Sequence, residues 1–126
     1  MSVEIVKEWI KKAEEDWEAL MRLRSGKISE IADIITFHSQ QCAEKYLKAL
    51  IQKNGKEPPR THHLSILLDE LISDYPELES LRVSCESLTP YSVNFRYPGE
   101  ESSKEDAVEA IKLSRKIRKV IREKLS

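Results

Sequence analysis

The sequence predicts an all-α fold: an up-and-down four-helix bundle with an additional short helix. Apolar residues recur at spacings of three and four through most of the 126 residues, only 3 Gly and 5 Pro punctuate them, and no run alternates as a strand would. Charged residues make up 34% and hydrophobic ones 40%, which excludes a disordered, collagen-like or disulfide-stapled chain. A chain of this length buries roughly two thirds of its unfolded surface, enough for one modest core and too little for a multi-lobed enzyme.

The first helix covers residues 3–24, with Val6, Ile10, Ala13, Trp17 and Leu20 on one face, and Ser25-Gly26 stops it. Trp9 and Met21 fall off that stripe and offer an apolar patch to a partner or a second copy. From about Ile31 to Asn54, Phe37, Cys42, Ala43, Tyr46, Leu47, Ala49, Leu50 and Ile51 occupy more than one face, as the central helix of a bundle requires. Asn54-Gly55 closes it, and Pro58-Pro59 forces an extended connector. The third helix starts near Thr61 or His62 and carries Leu64, Leu67, Leu68 and Leu71 to a stop at Asp74-Tyr75-Pro76. The fourth opens with Pro76-Glu77, since proline lacks only an N–H that a first turn leaves unpaired, and carries Leu78, Leu81, Cys85 and Leu88. Thr89-Pro90 ends it. A capping box, Ser102 with Glu105 or Ser103 with Asp106, opens the last helix, which turns Ala107, Ala110, Ile111, Ser114, Ile117, Ile121 and Leu125 inward.

With 21 Lys and Arg against 22 Asp and Glu, the net charge of −1 gives no global signature of nucleic-acid binding, so any such contact uses a local patch. The 2 cysteines, Cys42 and Cys85, sit in helices without CxxC spacing, and MSVEIVKEWIKK has no apolar signal core. Both features predict reduced core thiols in a cytoplasmic protein. No run approaches the roughly 18 apolar residues of a membrane span. The 3 histidines have no HxxxH or HExxH spacing, and neither a metal site nor a cofactor is expected.

Four segments carry chemistry. Arg60-Thr61-His62-His63 puts a guanidinium and two imidazoles at a helix start, where either an anion is held or Thr61 simply caps the helix. Arg96-Tyr97-Pro98-Gly99 offers a fork for phosphate beside a ring for a base; equally, Arg96 could pair with a carboxylate such as Glu44. Gln40, Gln41, Glu44, Lys45 and Lys48, with His38 just before them, form a polar strip on the central helix that faces solvent, a dimer mate, or a pocket meeting Arg96. Lys112, Arg115, Lys116, Arg118, Lys119, Arg122 and Lys124 form a basic run that either complements the helix dipole or makes an RNA-binding edge.

FHSQQCAEKYLKALI, then PPRTHHLSILL, then the aromatic loop ending in RYPG, then EDAVEAIKLSRKI together resemble the HEPN domain proteins of bacteria and archaea. The resemblance covers most of the chain and implies a single HEPN-like helical domain over residues 1–126. It also implies a homodimer, and a pairing with a minimal nucleotidyltransferase in a toxin–antitoxin-like system, with nucleotide or RNA binding as the theme. Many relatives are ribonucleases that use Arg, a spacer of four to six residues, and His near the start of the last helix. Counted from Arg96, that His falls at 101–103, which hold Glu101, Ser102 and Ser103. Without it, the group suited to moving a proton from a ribose hydroxyl near neutral pH is missing. The expectation is a non-catalytic nucleotide- or partner-binding domain. Arg96 holds phosphate, Tyr97 stacks, Arg60 with His62 or His63 completes an anion site, and Lys45 and Gln41 contribute from the central helix. The alternatives are a ribonuclease with a rearranged set, such as Arg96 with His62, and a purely structural docking module.

Overall fold

The computed structural model describes residues 3–93 and 97–126. Its helices are α1 (Val3–Leu23), α2 (Ala32–Lys53), α3 (Leu64–Asp69), α4 (Arg82–Leu88) and α5 (Lys104–Leu125), with 3-10 turns at Ile28–Glu30, Pro76–Leu81 and Thr89–Ser92. No strand occurs among the described residues.

The direction of each rod follows from who meets whom. Glu14 of α1 meets Tyr46 of α2, while Asp16 meets Lys45 and His38, and Leu20 clusters with Ile35, so α1 and α2 are antiparallel. Thr36 meets Ser102, Tyr46 meets Arg122 and Lys53 meets Leu125, so α5 runs parallel to α2. The segment 76–92 runs opposite to both. Tyr75 bonds Asn54 at the carboxyl end of α2, whereas Thr89 bonds Leu64 beside the middle of that helix. These four rods form the up-and-down bundle, and α3 is the additional short helix.

α2 is the hub because its apolar residues surround it. Cys42, Ala43, Tyr46, Leu47, Leu50 and Ile51 are all fully buried in the main core, with Leu64, Leu67, Leu68, Leu71, Leu78, Leu81, Cys85 and Leu88 packed from the α3–α4 side. Each such leucine contributes about 1.5–3 kcal/mol by leaving water. A second cluster of Leu20, Ala32, Ile35, Ala107 and Ile111 closes the opposite end. Among the described residues no helix is long and apolar enough to cross a membrane.

Helix ends explain most boundaries. Past the Asn54 cap of α2, Gly55 takes φ 86°; its N–H bonds Gln52 O and the Lys56 N–H bonds Ile51 O, the two bonds of a Schellman stop. At α5, Ser103 Oγ accepts from Asp106 N and the Asp106 side chain accepts from Ser103 N, which selects the second of the two predicted capping boxes. Two expectations need correction. The third helix does not run from Thr61 or His62 to Asp74: it is six residues from Leu64, after which Leu71 N–H and Asp74 N–H bond three residues back and the chain tightens into turns. The fourth begins not as an α-helix at Pro76 but as a 3-10 segment, because the residue before proline is pushed out of the α region, and Tyr75 has φ −135° and ψ 75°.

Candidate functional site

The connector after α2 runs back along that helix and is fixed to it by a buried polar network. Gln40 Nε2 donates to the carbonyl oxygen of His62 at 3.0 Å and to Glu44 Oε1 at 3.1 Å. Glu44 Oε1 also meets His62 Nδ1 at 2.9 Å, and Lys48 Nζ donates to Glu44 Oε2 at 3.0 Å. Gln41 joins through Nε2 to Gln40 Oε1 at 2.8 Å. Gln40, Glu44 and Lys48 are buried, and Lys48 also lies 5.5 Å over the Trp9 ring. The polar strip is therefore answered inside the protein rather than facing solvent. Its exposed product is the junction itself: Arg60, His62 and His63 all lie at the surface. With Nδ1 held on a carboxylate, His62 presents Nε2 as its outward nitrogen, and its side chain is 65% exposed.

Thr61 does not cap a helix. Its Oγ1 accepts from His63 N in a local turn, His63 occupies the cap position of α3 without a side-chain bond, and the Leu64 N–H goes to Thr89 Oγ1 at 3.1 Å. A six-residue helix whose first N–H is already taken offers little dipole to an anion. The side chains of Arg60 and the two histidines carry any attraction there.

Thr89 also donates to Cys85 O at 2.8 Å, so the foot of the aromatic loop is tied to the start of α3. Arg96 lies outside the described residues. Tyr97 is 64% exposed and opens a turn in which Pro98 presets the corner and Gly99 takes φ 92°, closed by Glu100 N–H to Tyr97 O at 3.0 Å. The loop ends on α2, where Ser102 N donates to Asp33 Oδ1 at 2.7 Å and Ser102 Oγ meets Thr36 Oγ1 at 3.3 Å.

Lys45 is placed elsewhere. Its Nζ donates to Asp16 Oδ2 at 2.6 Å while His38 Nδ1 meets Asp16 Oδ1 at 2.7 Å, a pairing that locks α1 to α2. The sequence held a signal for this: Asp16 falls on the Ala13–Leu20 stripe at spacings of three and four, so a carboxylate pointed at the interface. A further network binds α1 to α5. Arg118 grips both oxygens of Glu14, at 2.8 and 2.9 Å, and holds that carboxyl below the usual carboxylate range against the opposing effect of burial. Tyr46 bonds Glu14 as well and receives Arg122 NH1 at 3.1 Å; burial chiefly, helped by Glu14, pushes its phenol up to about 12. Trp9 and Met21 make no open apolar patch, since both are half-buried and Met21 packs on the second core cluster. Cys42 and Cys85 are free buried thiols that burial pushes up to about 12, far from the thiolate a nucleophile needs.

A profile of the HEPN domain matches residues 6–124. The chain belongs to the HEPN domain family. It is 32% identical to the Methanocaldococcus jannaschii protein described as "Putative toxin MJ1304", an alignment covering 97% of this chain and 89% of that one. Among solved structures it is similar to TT1696 from Thermus thermophilus, with TM-score 0.76 and 25% identity over 94% of this chain and 97% of that one. It is likewise similar to ST0689, described as an archaeal HEPN homologue, with TM-score 0.75 and 29% identity over 96% and 98% of the two chains.

In this HEPN chain the positions where the ribonuclease pattern calls for histidine are occupied by anchoring groups. Glu101 folds back to accept from Gly99 N at 3.2 Å, Ser102 fastens to α2, and Ser103 caps α5.

Proposed function

We propose that this HEPN chain binds a phosphate-bearing ligand, a nucleotide or RNA, and a protein partner of the toxin–antitoxin kind, and does not itself cleave RNA. The observation that carries the reading is the buried Gln40–Glu44–Lys48 anchor, which fixes His62 at the surface beside Arg60 and His63. His62, so held, loses little freedom on meeting an anion, which its protonated ring would meet through Nε2. Arg96 adds a two-toothed grip on phosphate and Tyr97 a stacking face. Positions 101–103 hold no histidine: Glu101 accepts from Gly99 N, Ser102 is tied to α2 and Ser103 caps α5. A protein partner is supported by the description of the M. jannaschii relative as a putative toxin; a minimal nucleotidyltransferase, the partner the family resemblance implies, is the one proposed.

Thermal-shift titration with ATP, GTP, AMP and a short RNA tests the binding half. Ligand at about 100 times its Kd adds roughly 2.7 kcal/mol to the folded state and raises Tm by several degrees. That shift is lost in Arg96→Ala and reduced in His62→Ala. No shift with any of the four contradicts a nucleotide site and leaves the docking role.

A second reading has a specific observation in its favour. His62 Nδ1 on the Glu44 carboxylate is how a general base is oriented, with Nε2 outward. In that reading His62 serves a ribonuclease with Arg96, and RNA cleavage abolished by His62→Ala is its signature.

A further inference from the structure

We propose that the groove between the end of α1, the turn that follows it and the first half of α5 docks an acidic, amphipathic segment of a partner protein. The groove holds about 510 Å³ and is lined by Arg24, Ile28, Val108, Ile111, Lys112 and Arg115. Ile28 and Ile111 join the second core cluster from below, while Val108 is 49% exposed, so the floor is apolar and open. The rim is cationic, and none of the six lining residues is acidic.

Many cations of the chain are answered by carboxylates, among them Arg22 by Glu18, Arg82 by Asp69 and Glu79, Arg118 by Glu14, Lys45 by Asp16 and Lys124 by Glu77, while others stand singly at the surface. Arg24, Lys112 and Arg115 form no ion pair among the described residues, and Arg115 rests 5.5 Å from the Trp17 ring centre. Three such cations around an apolar floor, in a chain of net charge −1, call for a ligand with carboxylates on its flanks and apolar side chains on its underside. A helix carrying both on one face has that chemistry. A nucleic-acid strand fits less well. Ribose and phosphate gain nothing from an apolar floor, and no aromatic ring lines the groove to stack a base. The nearby Trp17 is already faced by Arg118, 4.7 Å from its ring centre. The docking groove rests on the partner half of the function above and gives that half a surface. It shares no residue with the nucleotide half.

The test is fluorescence anisotropy on the full chain with three labelled probes: a designed helical peptide with Glu and Leu on one face, the same peptide with Gln for Glu, and a single-stranded oligouridine. The acidic peptide is expected to bind, and to weaken as salt rises. Binding drops about tenfold or more in Lys112→Glu and in Arg24→Glu, and in Val108→Ser, while the Gln peptide binds at least about tenfold more weakly than the acidic one. Unchanged helical melting shows that each variant still folds. Equal binding of the two peptides overturns the proposal, as does absence of peptide binding at millimolar protein. So does oligouridine binding that the charge reversals abolish and Val108→Ser leaves intact. Peptide binding that persists in Arg96→Ala, in a protein no nucleotide stabilises, removes the nucleotide reading and keeps this one.

Discussion

A carboxylate only 6% exposed needs partners on both oxygens, and Glu44 has His62 and Gln40 on one and Lys48 on the other. Removing it leaves Lys48 buried without its counter-charge, a change that costs about 3 kcal/mol or more. Urea denaturation of Glu44→Ala is expected to show that loss, and a midpoint equal to the wild type contradicts the network. Glu14 behaves differently because its side chain is 36% exposed and the pair is partly screened. Arg118 lowers its folded pKa below the ordinary 4.5, so its contribution is present above that value and disappears as the pH falls through the lower folded value. Glu14→Gln should therefore lose about 1 kcal/mol at neutral pH, and its deficit should shrink as the pH falls below 4.5. At this scale the sequence revealed which residues were polar in an apolar setting and not whom they met. Among the described residues the partners of Glu44 are 18 residues away on the connector and 4 away on its own helix. Long-range pairing depends on how the connector folds back, which residue spacing does not encode.

Elements were more legible where local chemistry decides them. The Ser-x-x-Asp box at Ser103 and the Asn-Gly stop at Asn54-Gly55 act within a single turn, and both stand where the residues put them. Ser103→Ala is expected to cost about 1 kcal/mol by freeing the Asp106 N–H, visible as a Tm lower by a few degrees. An unchanged Tm means the cap is idle. The 64–81 stretch was less legible because its leucine spacing suits both an α-helix and a run of tighter turns. Leu67, Leu68, Leu71, Leu78 and Leu81 are fully buried either way. Burial fixed the pattern, while Pro76 and the need to reverse direction beside α2 set the actual backbone.

Taken as a whole molecule, the bundle stacks its polar commitments along α2. Asp16 with His38 and Lys45, Glu14 with Tyr46 and the α5 arginines, and Glu44 with His62 each join α2 to a neighbouring element. All-α class and bundle topology were readable because periodicity and short connectors leave few alternatives. The candidate site was readable only in part, since its exposed half comes from a connector whose position rests on the buried half. The α5 basic run does not act as one surface. Arg118 holds Glu14, Arg122 meets Tyr46 and Lys124 meets Glu77, whereas Lys112 and Arg115 stand over a groove and Lys116 and Lys119 form no ion pair among the described residues. Binding of RNA by this HEPN chain without cleavage is read from one end-labelled RNA followed for both mobility and length at neutral pH. Binding without cleavage predicts a retarded complex, intact RNA, and loss of the complex in Arg96→Ala. Discrete fragments that disappear in His62→Ala would contradict it and establish the Glu44–His62 pair as the base of a ribonuclease.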